Sequence, residues 1–380
     1  MKLETFYYHS PSGWSVNPFP ALDSEQTWII VFGAPDFMDT PEPIHEIFRA
    51  YPTSHVVGCS SSGEIFGAAI SDRSLAVAVI QFEHTAIVSA TVPVQSIGDS
   101  FNAGKIIAQQ FNRPSLRAVF ILSDGLKVNG SELVRGLNSI LPDSVVVTGG
   151  LAGDGDRFER TWVIKDGSLH SGFVSAVGLY GEHIKISHGS KGGWDIFGPE
   201  RLVTRSKGNI LYELDGKSAL QLYKEYLGDQ AAGLPATAFY FPLALRSSMS
   251  DHRRIVRTVL AVDEVNQAII SAGDIPEGHL AQLMHGNFDR LVDGATEAAL
   301  MTRQPQPDAL PMLSVAISCV GRRLVLGERT EEELEALFEV LPQGTQQIGF
   351  YSYGEISPYD TTGHCNLHNQ TMTLTTIAEV

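Results

Sequence analysis

Residues 58–65 read Gly-Cys-Ser-Ser-Ser-Gly-Glu-Ile, and residues 349–356 read Gly-Phe-Tyr-Ser-Tyr-Gly-Glu-Ile. Five of the eight positions match: Gly58 with Gly349, Ser61 with Ser352, Gly63 with Gly354, Glu64 with Glu355 and Ile65 with Ile356. The flanks match in kind. Each octet ends a strand (HVVGC; QQIGF) preceded by a helical pattern (PIHEIFRAY; EELEALFEVL), itself preceded by a strand and a polar turn (WIIVFGAPD; LSVAISCVGRR). A unit that occurs twice implies two related domains. Gly-x-x-Ser-x-Gly-Glu reads as a strand-ending turn whose glycines admit positive φ or close backbone approach, with a carboxylate held beside exposed N–H groups.

Outward from the octets, runs rich in β-branched and aromatic residues alternate with shorter helical patterns, and Asp-Gly turn signals recur between them. This is an α/β (α+β) pattern with mixed, partly antiparallel sheets flanked by helices. Strand runs 75–82 with 85–90, and 173–179 with 183–188, are separated so briefly that each pair reads as a hairpin, because parallel strands need a long crossover. Thr330 with Glu333 reads as a capping box opening EEELEALFEVL, Asp215 as the cap of KSALQLYKEYL, and 277–301 as one long helix interrupted by glycines. Glycines at 189–193 and prolines in RQPQPDALP mark linkers, and the expected domains are residues 25–205 and 206–380.

Composition excludes several classes of function. With 27 Lys+Arg against 43 Asp+Glu the net charge is −16, leaving no basic surplus for phosphate backbones, so nucleic acid is not expected as a partner. No apolar run approaches the ~18 residues of a membrane span, and the first residues lack a signal-peptide pattern, so no membrane association is expected. Cys59, Cys319 and Cys365 are too few for a disulfide framework, which suits reduced thiols in the cytoplasm.

Several motifs invite specific chemistry. Gly149-Gly-Leu-Ala-Gly-Asp-Gly155 lacks the Gly-Lys-Ser/Thr ending of a phosphate loop and reads as a tight turn. Cys59 is not in a G-x-S-x-G elbow, and Cys319 at the end of an apolar strand reads as a buried thiol, so a cysteine-dependent enzyme has little support. His364-Cys-Asn-Leu-His368 has no second Cys/His pair to complete a zinc site. A haem needs only one axial imidazole in an apolar pocket; His188 is the leading candidate, ending a strand beside a glycine-rich turn and Trp194, with His368 behind it. A pocket for a small zwitterionic or carboxylate ligand could form where strand ends meet, from Cys319, Arg322, Tyr351, Tyr353, Glu355, Asn369 and Thr371: Arg for an acid group, Glu for an amine, amides for orientation.

Taken in order, Gly58–Glu64, Gly149–Asp154, His188 with Gly193-Trp194, Val203-Thr204, Tyr212–Gly216, Phe241–Leu243, Cys319–Arg322, Gly349–Glu355 and Leu367–Thr371 resemble the FIST family of bacterial signal-input proteins, with its FIST N and FIST C domains. The resemblance implies a non-enzymatic sensory module that binds a small ligand and reports to a signalling partner. It is similar to stand-alone members that sense nitric oxide through haem b and regulate a histidine kinase in two-component signal transduction; the alternative it implies is a sensor of a small amino-acid-like ligand without haem.

Overall fold

A computed structural model describes residues 1–303, 311–360 and 364–380, so most of RQPQPDALP lies outside the described residues. Three sheets, one of seven strands and two of six, share one order over six strands. The first runs Ser168–His170, Val163–Lys165, His55–Ser60, Thr27–Gly33, Ser74–Gln81, Lys2–His9, with the short Gly13–Trp14 at its edge. The second runs Cys365–His368, Gly354–Pro358, Val146–Leu151, Leu116–Ser123, Phe173–Tyr180, Ala86–Pro93. The third runs Ala69–Ser71, Glu64–Phe66, Gln346–Ser352, Leu313–Cys319, Met372–Glu379, Ile184–Lys191. In each, the two middle strands are parallel and joined through helix, and the rest pair antiparallel. The fold is α/β with mixed sheets and helices, as the sequence implies.

The octets belong to two of three units with the same topology. After the second parallel strand, each unit sends a short hairpin to the sheet of another unit. The first unit's 64–71 hairpin joins the third sheet, the third unit's 354–368 hairpin joins the second, and the second unit's 163–170 hairpin joins the first. A closed ring of backbone hydrogen bonds marks this exchange: Ser62 N–H donates to the Tyr351 carbonyl at 2.8 Å, Tyr353 N–H to Leu151 at 3.1 Å, and Gly153 N–H to Ser60 at 3.0 Å. Every donor lies four residues, and every acceptor two residues, after Gly58, Gly349 or Gly149. At these glycines a Cβ would stand 2.2, 1.9 and 1.8 Å from the carbonyl oxygens of Val31, Ala316 and Ile121, so the strand pairing admits no side chain.

Period-2 alternation explains why the central strands read as continuous apolar runs: both faces are covered. Trp28, Ile30 and Phe32, Phe120 and Leu122, and Val315 and Ile317 all point into one central core, where Phe32 stacks on Phe350 and Trp28 meets Phe120 edge-on. The intervening residues pack outward. Ile29 and Val31 meet helix Glu42–Ala50, Val119 and Ile121 meet helices Ser100–Phe111 and Gly130–Asn138, and Ala316 meets helices Phe288–Met301 and Thr330–Glu339.

An additional sheet, formed by segments between Asp195–Lys207 and Leu280–His285, is inserted between strand Ile184–Lys191 and helix Phe288–Met301 of the third unit. Helix Ala219–Leu227 covers it. Residue 205 lies within its first long strand. No helix among the described residues is long and apolar enough to cross a membrane.

Five local expectations are corrected. Runs 75–82 and 85–90 are not a hairpin: strand Ser74–Gln81 lies in the first sheet and Ala86–Pro93 in the second. Glu379 holds the turn between them by accepting from the N–H groups of Glu83, His84 and Thr85 at 2.8, 2.9 and 2.7 Å. Runs 173–179 and 183–188 likewise fall in the second and third sheets. Segment 277–301 splits into strand Leu280–His285 and helix Phe288–Met301, which is capped by the Asn287 side chain. Ser218, rather than Asp215, caps helix Ala219–Leu227, and Glu333 forms no capping box because its carboxylate turns inward.

Candidate functional site

The octet carboxylates occupy matching cradles. Ser61 Oγ donates to Glu64 Oε1, while Ser74 N–H and Oγ donate to Oε2 at 3.0 and 2.7 Å. Ser352 Oγ donates to Glu355 Oε1 at 2.7 Å, while Thr371 N–H and Oγ1 donate to Oε2 at 3.2 and 2.8 Å. In both units the glutamate therefore ties its turn to the start of the returning antiparallel strand. Burial outweighs these donors and pushes Glu64 up to about 7 and Glu355 up to about 8. Burial also pushes His368 down to about 4, although its Nε2 lies 3.0 Å from the Ser357 carbonyl.

These shifts set a pH dependence. A carboxyl raised in the fold binds its proton there and releases it when unfolded, so its contribution to stability is full below the ordinary value and is lost as pH rises through the folded value. His368 has the opposite sign and acts below about 6.5. Between about pH 6.5 and 8, then, stability is expected to fall with rising pH, by at most about 1.4 kcal/mol per pH unit for each carboxyl still titrating. Urea unfolding of wild type and Glu355→Gln across this range checks it: the variant should show a shallower slope, and an equal slope would assign the dependence elsewhere.

Arg322, expected to hold a ligand's acid group, lies fully buried behind these turns. Its Nε and Nη2 donate to Glu333 Oε2 at 3.0 and 2.7 Å, its Nη2 to the Leu291 carbonyl at 2.8 Å, and its Nη1 to the Gly192 carbonyl. Glu333 Oε1 in turn accepts from Ser318 Oγ at 3.0 Å and from the Tyr351 hydroxyl at 2.8 Å. Arg322 and Tyr351 are thus engaged within the protein. Asn369 is fully buried, and its amide atoms have no hydrogen-bond partner among the described residues.

Cys319 and Tyr353 do reach a cavity. It has a volume of about 260 Å³ and opens at the carboxyl ends of strands Leu116–Ser123, Val146–Leu151 and Leu313–Cys319. The three-sheet body contributes Leu126, Val128, Asn129, Leu151, Phe158 and Val320; the inserted sheet and its loops contribute Phe239, Thr258, Leu260, Ser271 and Asp274. Phe158 stacks on Tyr353, whose hydroxyl donates to Asp154. Among the described residues Asp274 is the cavity's only carboxylate, no cationic side chain lines it, and Thr258 Oγ1 has no partner. Of the seven expected ligand-binding residues, the other five stand behind this wall, the backbone linking the two layers through Cys319 N–H to the Thr371 carbonyl at 3.1 Å. Asn129, Thr258 and Asp274 escaped sequence reading, and Glu333 entered it only as a capping residue. Of the three missed residues, Asn129 alone left a signal there, as the cap residue of helix Gly130–Asn138.

Burial pushes all three thiols above their ordinary value, and Cys59 lies in the central core. None has the electropositive, accessible setting of a nucleophile. Among the described residues no group of three His, Cys, Asp or Glu side chains could hold a metal ion.

Haem does not fit His188 as the fold packs it. The residue is buried opposite Thr375 in a strand paired along its length, on the same face as Ile186, which packs against the central core. It lines none of the cavities described.

A largely apolar cleft at strand ends, walled by the three-sheet body and the inserted sheet, has the setting in which α/β folds take small molecules. The chain belongs to the FIST family: a FIST N domain matches residues 27–217 and a FIST C domain residues 219–358. No curated protein matches it. FIST domains are associated with signal-transduction sensing of small ligands.

Proposed function

We propose that this protein is a sensory input module that binds a small metabolite in the 260 Å³ cavity and reports the bound state to a signalling partner, a histidine kinase in the reading the family resemblance favours. The observation that supports it most is the origin of the walls. Because the three-sheet body and the inserted sheet both line the cavity, a ligand that touches both favours one placement of the insertion over others, which is the differential contact a population shift requires. The volume lies just below the ~300–1,000 Å³ of sites for drug-sized ligands, so the occupant is compact. Mostly apolar walls, with Asp274 the only charge among the described residues, suit an amine-bearing, largely apolar molecule. A free amino acid would find no cation for its carboxylate here, since Arg322 is committed to Glu333. Three unpaired cysteines suit a reducing compartment, and we place the module in the cytoplasm.

A thermal-shift screen of small amines and other metabolites tests this reading. A binder should raise the melting temperature of wild type in proportion to the logarithm of its concentration above Kd. Leu260→Trp, which fills the cavity from the half-buried edge of the inserted sheet, should abolish that shift while leaving the protein folded. A shift that survives the substitution would place the ligand elsewhere.

A further inference from the structure

Arg257 ends the short strand Ile255–Arg257 of the inserted sheet and is 6% exposed. Its Nε donates to the Asp274 carbonyl at 3.0 Å and its Nη1 to the carbonyls of Val256 and Leu367 at 3.1 and 3.0 Å. Main-chain carbonyls satisfy N–H groups but cancel no charge. Among the described residues Arg257 has no carboxylate at ion-pairing distance and Nη2 has no acceptor; the Asp274 carboxylate accepts instead from Asn129 Nδ2 at 3.1 Å. Burial pushes the guanidinium down to about 10, and the charge of Asp274, beyond ion-pairing distance, only partly opposes this. The other arginines that line the cavity beside it are paired: Arg135 with Glu132, Arg246 with Glu200 and Arg253 with Asp251.

A second cavity, of about 430 Å³, lies against this unpaired guanidinium. Besides these arginines it is lined by Ser131, Ser247, His279, Tyr359 and Asn366, and by the carboxylates Glu132 and Asp251, which are engaged with Arg135 and Arg253, and Asp274. The Tyr359 hydroxyl accepts the Arg254 N–H at 3.1 Å and so keeps its own proton to donate. Buried charges are stable when paired and hydrogen-bonded, and a guanidinium's fork matches a carboxylate or phosphate. We infer that this cavity is a binding site for a small oxoanion, a carboxylate or phosphate group seated on Arg257 and Tyr359. The site is separate from the 260 Å³ cavity, although Asp274 lines both, so either can fail without the other.

The test is titration of the full-length protein with inorganic phosphate and with succinate, each compared with potassium chloride at equal ionic strength so that general screening is matched. At least one anion should bind saturably and raise the melting temperature beyond chloride; which one does so tells phosphate from carboxylate. Arg257→Gln should weaken that binding tenfold or more, and Tyr359→Phe by a smaller factor. Should Arg257→Gln fail to fold, Arg257→Lys keeps the charge, loses the fork and should still weaken binding about tenfold. No effect of either anion beyond chloride, or undiminished affinity in the Arg257 variant that folds, would overturn the assignment.

Discussion

Replacing Arg322 with Met is expected to destabilise the protein by about 3–5 kcal/mol, the range for removing one partner of a buried ion pair. The guanidinium and Glu333 are both fully buried, and Arg322 joins four segments by bonding Gly192, Leu291, Glu333 and Gln370. Without it Glu333 keeps two hydroxyl donors, Ser318 and Tyr351, which cannot neutralise its charge. The double substitution Arg322→Met with Glu333→Leu should recover part of the loss, because an apolar pair of similar volume avoids the stranded carboxylate. Urea unfolding of the four proteins reads both terms. A single-substitution cost below about 1 kcal/mol would mean that the pair is hydrated, contrary to its burial.

Gly149→Ala should be at least as damaging, about 4 kcal/mol or more, or leave no folded protein. The new Cβ would stand 1.8 Å from the Ile121 carbonyl oxygen and 2.7 Å from its carbon, and φ there is +148°. Neither atom can retreat, since Ile121 is in the centre of the second sheet, bonded on both sides. Gly155→Ala is the control: φ is +80° but nothing lies within 4 Å, so only the backbone penalty of about 1–2 kcal/mol applies. Equal effects at 149 and 155 would show that the close strand approach is not what the glycine serves.

These residues also show what the sequence could and could not disclose. The octets at 58 and 349 are visible because two units keep the same serine, glycine and glutamate for the same cradle. The second unit has Gly149-Gly-Leu-Ala-Gly153-Asp154, one residue shorter, with no serine to hold a carboxylate; Asp154 instead accepts from the N–H groups of Phe158, Glu159 and Arg160. What the three copies share is a ring of backbone hydrogen bonds, which leaves no side-chain signature. The false hairpins have a related cause: a short connection reports that two strands are near, not that they share a sheet. Cys319 and Tyr353 were accessible to reasoning as strand-end residues. Arg322, expected to meet a ligand, pairs here with Glu333, and an arginine beside a turn reads alike whether it meets a ligand or a glutamate eleven residues on. Thr258, Leu260 and Asp274 carry no motif; the inserted sheet brings them to the cavity.

The central claim is that ligand occupies the cavity between the three-sheet body and the inserted sheet. Amide hydrogen exchange of the full-length protein, with and without the strongest binder from the metabolite screen, tests it most directly. Protection is expected together in 125–129 and 319–321 of the body and in 258–260 and 271–274 of the insertion. Protection confined to one of the two bodies, or to the octet turns at 61–64, would contradict it.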